Sequence, residues 1–275
     1  MTYREICKRL EDAGIEQSQW DAECLILHHC KVTPSALRTD PDKDFSETAL
    51  LEALSRRCAR EPLQYILGEW EFYRQRFEVS PDCLIPRSDT EILVEEAIRR
   101  LPRGARFADL CTGSGCIAIS VLAERPDTTA VALEKYPATL ALAVRNADRN
   151  GVSSRFTPVC ADVTLPPPKE LGTGLDAILS NPPYIVSSVM KTLSPEVLSE
   201  PHAALDGGED GLTFYRAILT KYTPCLSPNG FFLFEIGFDQ AEALTELAHA
   251  HGFTDIRVIR DLGGCDRTVY LSRSL

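Results

Sequence analysis

The chain has few of the features that mark membrane, secreted or metal-binding proteins. Its 275 residues include only five histidines, and its ten cysteines are scattered without a Cys-x-x-Cys pair. This spacing predicts reduced, mostly buried cysteines and no bound metal. No apolar stretch approaches the roughly 18 residues of a membrane span, and the N-terminus lacks an apolar signal region. We therefore expect a cytoplasmic protein that does not bind membranes.

Basic charge is also scarce. The chain has 29 Lys and Arg against 40 Asp and Glu, a formal net charge of −11. Non-specific binding to nucleic acid comes mainly from the neutralisation of phosphates. The charge balance therefore argues against a direct nucleic-acid substrate, although a locally basic groove is compatible with it.

With 44% hydrophobic residues, the chain can build one large domain and a small one. Apolar spacing in the first part predicts a small bundle of helices at Tyr3–Ala13, Gln19–Cys30 and Ser46–Arg60, the last capped by Ser46. An alternating stretch then predicts a hairpin that turns at Ser80-Pro81-Asp82. We predict a helical domain at residues 1–70, a hairpin linker at 71–88 and a third region at 89–275.

Helices and strands alternate in this third region, which predicts an α/β fold with a doubly wound sheet. The predicted helices are Asp89–Leu101, Cys116–Glu124, Pro137–Asn150, Gly211–Tyr222 and Gln240–His251. The predicted strands are Arg106–Leu110, Thr129–Glu134, Phe156–Cys160, Leu175–Ser180, Gly230–Ile236, Thr254–Ile259 and Arg267–Ser272. The connection between the last two strands, residues 262–265, is too short for a crossover helix, so they must pair antiparallel. A seven-stranded, mostly parallel sheet with an antiparallel C-terminal hairpin is typical of the Rossmann-like class I S-adenosylmethionine-dependent methyltransferases.

A glycine-rich loop follows the first strand of the predicted sheet. Gly113-x-Gly115-x-x-Ala118 matches a dinucleotide fingerprint, and Glu134 ends the next strand, where an acid can bind ribose hydroxyls, so NAD is permitted. Asp109 favours S-adenosylmethionine instead, because a carboxylate repels the phosphates of a dinucleotide and attracts an amino group and a sulfonium.

The third strand is followed by two further candidate residues. Asp162 can accept the adenine amino group and Val163 can pack on the ring, although a solvated loop Asp is the alternative.

The fourth strand delivers the segment Asn181-Pro182-Pro183-Tyr184, which we call the tetrad. Two prolines fix the backbone and orient its carbonyls, so the Asn181 side-chain oxygen, the Pro182 carbonyl and the Tyr184 ring suit a planar group that carries an N–H₂. Two acceptors would hold the nitrogen behind the donor's methyl and stabilise the positive charge that develops on it. These residues alone do not distinguish glutamine from adenine.

The tetrad resembles the amino-methyltransferases of adenine N6, cytosine N4 and glutamine N5. Segments along the whole chain resemble the peptide chain release factor glutamine methyltransferases, the HemK/PrmC family. These segments are residues 61–68, 71–73, 84–91, 200–211 and 261–267. The resemblance implies transfer of a methyl group from S-adenosyl-L-methionine, leaving S-adenosyl-L-homocysteine. The acceptor it implies is N5 of the glutamine in the Gly-Gly-Gln motif of class I release factors, which act in translation termination.

The resemblance also assigns site residues. It places the donor loop at Cys111, Thr112, Gly113, Ser114 and Gly115, the ribose acid at Glu134, an adenine contact at Val163 and the substrate tetrad at Asn181, Pro182, Pro183 and Tyr184. Together with Asp109 and Asp162, these are the predicted donor-binding and catalytic residues. Asn181 is predicted to contact both the donor and the acceptor amide.

The chain departs from the family pattern at four positions. Cys111 and Arg74 stand where the family usually has Gly, Glu134 where it has Asp, and Val163 where it has an aromatic residue. These changes bear on donor affinity more than on reaction type.

Three alternatives follow from the same pattern: a ribosomal-protein glutamine methyltransferase, a nucleic-acid adenine N6-methyltransferase, and a donor-binding protein without activity. The last predicts a damaged tetrad, whereas this one is intact. We expect the helical domain to contact the protein substrate.

Overall fold

The computed structural model describes residues 1–40 and 42–273, which form two compact units. The first contains Met1–Glu69 and Leu193–Ser199, and the second contains Trp70–Thr192 and the chain from Glu200 onward. The predicted domain limits leave residues 193–199 with the third region, whereas by contact they group with the helices.

From residue 91 onward, helices and strands are interleaved along the described chain. The helices are α1 (Tyr3–Asp12), α2 (Ser18–Cys30), α3 (Pro34–Thr39), α4 (Thr48–Cys58), α5 (Leu63–Leu67), α6 (Glu91–Arg100), α7 (Cys116–Glu124), α8 (Pro137–Arg149), α9 (Pro195–Leu198), α10 (Thr213–Tyr222) and α11 (Ala241–Ala250). The strands are β1 (Glu69–Phe72), β2 (Gln75–Glu78), β3 (Arg106–Leu110), β4 (Thr129–Glu134), β5 (Phe156–Cys160), β6 (Leu175–Ser180), β7 (Ile185–Val186), β8 (Asp206–Gly208), β9 (Leu226–Glu235), β10 (Asp255–Arg260) and β11 (Asp266–Ser272).

The helical unit packs α1, α2 and α4 around fully buried aliphatic side chains such as Ile6, Leu25 and Leu54. A capping box between Thr2 and Glu5 begins α1. The prediction that Ser46 caps α4 is wrong. The first bond of this helix runs from Leu51 N to Glu47 O, which makes Glu47 the N-cap.

A buried ion-pair network also lies within the helical unit. Arg57 Nε donates to Asp21 at 2.6 Å, and Arg57 Nη1 donates to Glu196 of α9 at 3.0 Å. Arg60 contacts the same carboxylate at 2.8 Å. The segment 193–199 is thus held by charge-assisted hydrogen bonds to Arg57 of α4 and to Arg60, which follows that helix.

The second unit is built on a seven-stranded sheet of order β10-β11-β9-β6-β3-β4-β5. Its central pairs are parallel, and β11 pairs antiparallel with both β9 and β10. The predicted fold class is therefore confirmed. Leu110 lies beside Leu133 of β4 and Ser180 of β6, so the loops that follow these three strands leave the sheet at one level.

Several predicted bounds shift for physical reasons. Helix α10 begins at Thr213 rather than at Gly211, whose φ of +74° is left-handed and cannot belong to a right-handed helix. The hairpin turns at Tyr73 and Arg74 rather than at residues 80–82, and both residues have positive φ, as a two-residue hairpin turn requires. A turn does form at Ser80-Pro81-Asp82, where Cys83 N donates to Ser80 O at 3.0 Å, but it is not the turn of the hairpin.

The described residues carry no helix of the length and apolarity that a bilayer span demands. Nor do their His, Cys, Asp and Glu side chains gather in threes that could hold a metal ion.

Candidate active site

The loops after β3, β4, β5 and β6 line a cavity of about 320 Å³ in the second unit, a size that suits a small-molecule ligand. The predicted site residues on its wall are Cys111, Thr112, Gly113, Ser114, Glu134, Asp162, Val163, Asn181 and Pro183. The other four, Asp109, Gly115, Pro182 and Tyr184, are not among the residues that line it. The strand ends thus bring the predicted donor loop and the first residue of the tetrad to one cavity.

The glycine-rich loop is held in a left-handed conformation at three positions. Gly113 and Gly115 have φ of +55° and +83°, and a Cβ on Gly115 would lie 2.7 Å from Ile119 Cδ1. Cys111 has φ of +60° although it is not glycine, which costs about 1–2 kcal/mol. This conformation accounts for the glycine that the family usually has there.

Asp109 is fully buried beneath this loop. Its Oδ2 accepts hydrogen bonds from Thr112 Oγ1 at 2.6 Å and from Ala118 N at 3.2 Å, which brace the loop against the start of α7. Within residues 1–40 and 42–273, Oδ1 has no hydrogen-bond partner. Burial raises the pKa of Asp109 from 3.8 to about 7, against the lowering effect of its two hydrogen bonds. A buried carboxylate oxygen without a partner fits a cationic ligand group.

Glu134 ends β4 and faces the loop from the other side. Its Oε2 accepts from Gly113 N at 3.1 Å and its Oε1 accepts from Tyr136 N at 3.0 Å. Burial raises its pKa, while these backbone bonds lower it. Each carboxylate oxygen retains a second lone pair, so two ribose hydroxyls fit this group.

Asp162 is engaged within its own turn. Its Oδ1 accepts from the backbone N and the hydroxyl of Thr164 at 2.8 and 2.7 Å, and its Oδ2 pairs with Lys135 Nζ at 3.0 Å. Burial raises its pKa, but Thr164 and Lys135 outweigh burial and lower it overall. An adenine amino group would therefore share an acceptor that already has partners. Val163 beside it is 4% exposed.

The tetrad is fixed by residues from distant segments. Asn181 Nδ2 donates to Thr90 Oγ1 at 3.3 Å. The Tyr184 hydroxyl donates to Glu235 Oε1 at 3.5 Å, and the Tyr184 carbonyl accepts from Gln240 Nε2 at 3.0 Å. These contacts hold both ends of the tetrad.

The glycine-rich segment at residues 207–211 packs directly on the tetrad backbone. A Cβ on Gly207 would lie 2.6 Å from Tyr184 Cα and 2.9 Å from the Pro183 carbonyl oxygen. These are backbone atoms that cannot rotate away. Glycine at position 207 is therefore a steric requirement of the tetrad.

Sequence reasoning missed several residues of the site. The cavity is also lined by Cys83, Ile85, Arg87 and Thr90 from the segment after β2 and by Phe214 from α10. Glu235 stands behind the tetrad at the end of an apolar strand, Phe231-Phe232-Leu233-Phe234. An acid at the end of an apolar strand is also the pattern that identified Asp109, so this pattern could have revealed Glu235.

The segment after β2 that sequence reasoning did not assign to the site is joined through Glu200 to the part of the chain that leads into β8. This carboxylate accepts from Ile85 N at 3.0 Å and pairs with the Arg87 guanidinium. Because Glu200 is 5% exposed, the two charges form a partly buried pair that fixes one wall of the cavity.

The mixed sheet, the glycine loop and the acid at the end of the next strand define a class I S-adenosylmethionine-dependent methyltransferase. Two family models match the chain, the PrmC N-terminal domain over residues 2–68 and the Methyltransferase small domain over residues 88–211. The catalytic domain of hMettl16 has a similar fold, with a TM-score of 0.57 at 17% identity over 80% of this chain and 82% of that chain.

Curated relatives are much closer in sequence. The release factor glutamine methyltransferase of Geobacter sulfurreducens is 40% identical over 94% of this chain and 91% of its own length. The enzyme of the same name from Cereibacter sphaeroides is 42% identical over 95% and 93%. The chain belongs to the release factor glutamine methyltransferase family, and the resemblance described from the sequence is confirmed.

Proposed function

We propose that the chain methylates N5 of the glutamine side chain in the Gly-Gly-Gln motif of class I peptide chain release factors. The names of its relatives support release factors as the substrate. The main support for this chemistry is the hydrogen bond from Asn181 Nδ2 to Thr90. Because the amide nitrogen is engaged in that bond, Oδ1 of this rigid asparagine at the end of a strand is free to accept from the substrate. Since translation factors act in the cytoplasm, we propose that compartment for the enzyme.

The residues around the cavity fit S-adenosyl-L-methionine. Glu134 would accept from its ribose hydroxyls, and the backbone of residues 111–114 would lie against its methionine part. Asp109, which is buried beneath that loop and does not line the cavity, would attract its amino group by charge. When bound, this donor supplies an electrophilic methyl group on a sulfonium and leaves as S-adenosyl-L-homocysteine. Asp162 and Val163 remain the proposed contacts for adenine.

The tetrad residues act on the acceptor amide. Asn181 Oδ1 and the Pro182 carbonyl accept its two N–H bonds, which holds the nitrogen in line and favours a tetrahedral lone pair. The new N–C bond forms as the C–S bond breaks, and the nitrogen then releases one proton. Tyr184 covers the planar group and excludes water.

Mass spectrometry of a class I release factor incubated with the enzyme and labelled donor tests this proposal. We expect one methyl group on the Gly-Gly-Gln glutamine and none when that glutamine is replaced by asparagine, whose amide lies one carbon closer to the backbone. An unmodified release factor alongside methylated ribosomal protein or DNA would refute the assignment and favour one of the alternatives.

A further inference from the structure

Glu235 is a buried carboxylate that the mechanism above does not use. It ends β9 with 1% exposure, and its backbone carbonyl accepts a 2.7 Å hydrogen bond from the Tyr215 hydroxyl. Oε1 lies 3.5 Å from the Tyr184 hydroxyl. Among the residues described, none is a hydrogen-bond partner of Oε2. A buried polar group of this kind requires an explanation.

The neighbours of Glu235 link it to both ends of the tetrad. The Thr90 hydroxyl and the Asn181 amide lie close enough to lower the pKa of its carboxyl. Thr90 Oγ1 already accepts from Asn181 Nδ2, so its own proton is available to a second acceptor. On the other side, the Tyr184 hydroxyl donates to Oε1.

This arrangement decides which end of the Asn181 amide faces the acceptor. A carboxylate can only accept hydrogen bonds, so the Thr90 hydroxyl that lowers the pKa of Glu235 would give its proton to the carboxylate. That leaves a Thr90 lone pair for the Asn181 N–H₂. If the carboxylate were lost, Thr90 could donate to Asn181 Oδ1 instead. The Asn181 amide would then be flipped and would present its own N–H₂ to the N–H₂ of the substrate. Both groups are hydrogen-bond donors, so no hydrogen bond could form between them.

We propose that Glu235 is a positioning residue that orients the Asn181 amide through Thr90 and holds Tyr184 through its hydroxyl. This inference rests on the proposed function, because it concerns the group that receives the acceptor amide. Glu235 itself does not contact substrate. Its role is to keep Asn181 Oδ1, rather than Nδ2, available to the reacting nitrogen.

The ionisation of Glu235 supports this role. Burial raises its pKa from 4.5 to about 7, Thr90, Arg267 and Asn181 lower it, and Asp89 raises it. Tyr184, Tyr215 and Cys116 also face it, but burial raises the pKa of each well above this range, so they stay neutral. Below pH 7 a protonated Glu235 would compete as a donor, so turnover should rise as the pH crosses about 7.

The test compares Glu235→Gln, Thr90→Val and the double variant at saturating donor. We expect each single change to lower kcat about 10- to 100-fold. This is the range for residues that orient a metal-binding side chain through a hydrogen bond without contacting the metal. Donor affinity should stay within about twofold in Glu235→Gln, since Glu235 is not among the residues that line the cavity. The double variant should fall no further than the worse single variant, because both changes release the same amide.

Three controls separate positioning from damage to the fold. Thr90→Ser restores the hydroxyl and should recover most of kcat, and Glu242→Gln removes an exposed carboxylate of α11 and should change nothing. The rise of kcat near pH 7 should be present in the wild type and absent in Glu235→Gln.

Multiplicative losses in the double variant, or an unchanged pH profile in Glu235→Gln, would overturn the proposal. All variants are compared with the wild type on whichever acceptor the wild type methylates. A wrong acceptor therefore contradicts the proposed function, whereas a wrong pattern among the variants contradicts the positioning role.

Discussion

The donor side and the acceptor side of the proposed site are built in different ways. On the donor side, Asp109 binds Thr112 and Ala118 in the loop that immediately follows it. On the acceptor side, the partners of Asn181 and Tyr184 lie 91 and 51 residues away in the chain. The donor half is therefore a local motif, whereas the acceptor half exists only once the whole second unit has folded.

The largest expected effect is on the acceptor half. Asn181→Ala should lower kcat about 10³-fold, in the range measured when one stabilising group at a reacting atom is removed. Donor binding by calorimetry should be largely retained, because Asp109 and Glu134 are untouched. Asn229→Ala removes an exposed asparagine of β9 and should leave both quantities unchanged. Transfer that persists in Asn181→Ala would remove this residue from the mechanism.

Gly207→Ala tests whether the acceptor half depends on distant packing. The new methyl group would meet the Tyr184 backbone at 2.6 Å, and a displacement of about 1 Å at a reacting group can cost about 10²-fold in rate. Gly263→Ala is the matched control, since its φ is ordinary and its nearest neighbour is the Asp261 side chain at 3.2 Å. Equal kinetics for the two variants would contradict the steric requirement.

Asp109→Asn addresses the donor half. Removing the charge should weaken donor binding about tenfold at pH 8, which corresponds to the loss of about 1.4 kcal/mol of attraction between Asp109 and the donor's cationic groups. Wild-type affinity should rise as the pH increases through about 7, the raised pKa of Asp109, because the ionised form attracts the donor's amino group. The variant should lack this rise, and Asp148→Asn on the exposed face of α8 should retain it.

The same pKa makes a prediction about stability without donor. A carboxyl with a raised pKa in the folded protein favours folding below its ordinary pKa of 3.8, and this contribution is lost as the pH rises through about 7. The free energy of unfolding should therefore fall less between pH 4 and 8 in Asp109→Asn than in the wild type. If urea unfolding gave the same pH dependence of the unfolding free energy for Asp109→Asn and the wild type, the raised pKa of Asp109 would be refuted.

The smallest effect concerns Cys111. Replacing it by glycine relieves a left-handed backbone at φ of +60° and should stabilise the protein by about 1 kcal/mol once the greater entropy of glycine in the unfolded chain is subtracted. Thermal unfolding should shift upward by about 2–4 °C. Cys111→Ala removes the thiol but keeps Cβ, so an equal gain in that variant would show that strain is not the cause.

The positions of the strand-end residues on the donor side were predictable because each signal is local. Strands β3 to β6 begin and end where apolar patterning predicts, and Asp109, Glu134 and Asn181 stand at strand ends that the parallel topology brings together. Asp162 was less predictable, since nothing in its own segment reveals that Lys135 competes for its carboxylate.

The acceptor half was only partly predictable. Thr90 and Glu235 reach Asn181 and Tyr184 through tertiary structure, and no spacing rule connects residues so far apart. The turn at Tyr73 and Arg74 was missed for a different reason: neither residue is the glycine or asparagine that usually announces positive φ.

Glu196 has a consequence for where the chain can be divided into separate pieces. The helical unit is completed by a short stretch that lies inside the other unit's sequence, where Glu196 meets Arg57 and Arg60. A fragment ending at residue 69 would carry both arginines without their shared carboxylate, and one beginning at residue 70 would carry the carboxylate without them. The helical unit therefore cannot be cut out as residues 1–69 alone without removing the carboxylate that Arg57 and Arg60 share.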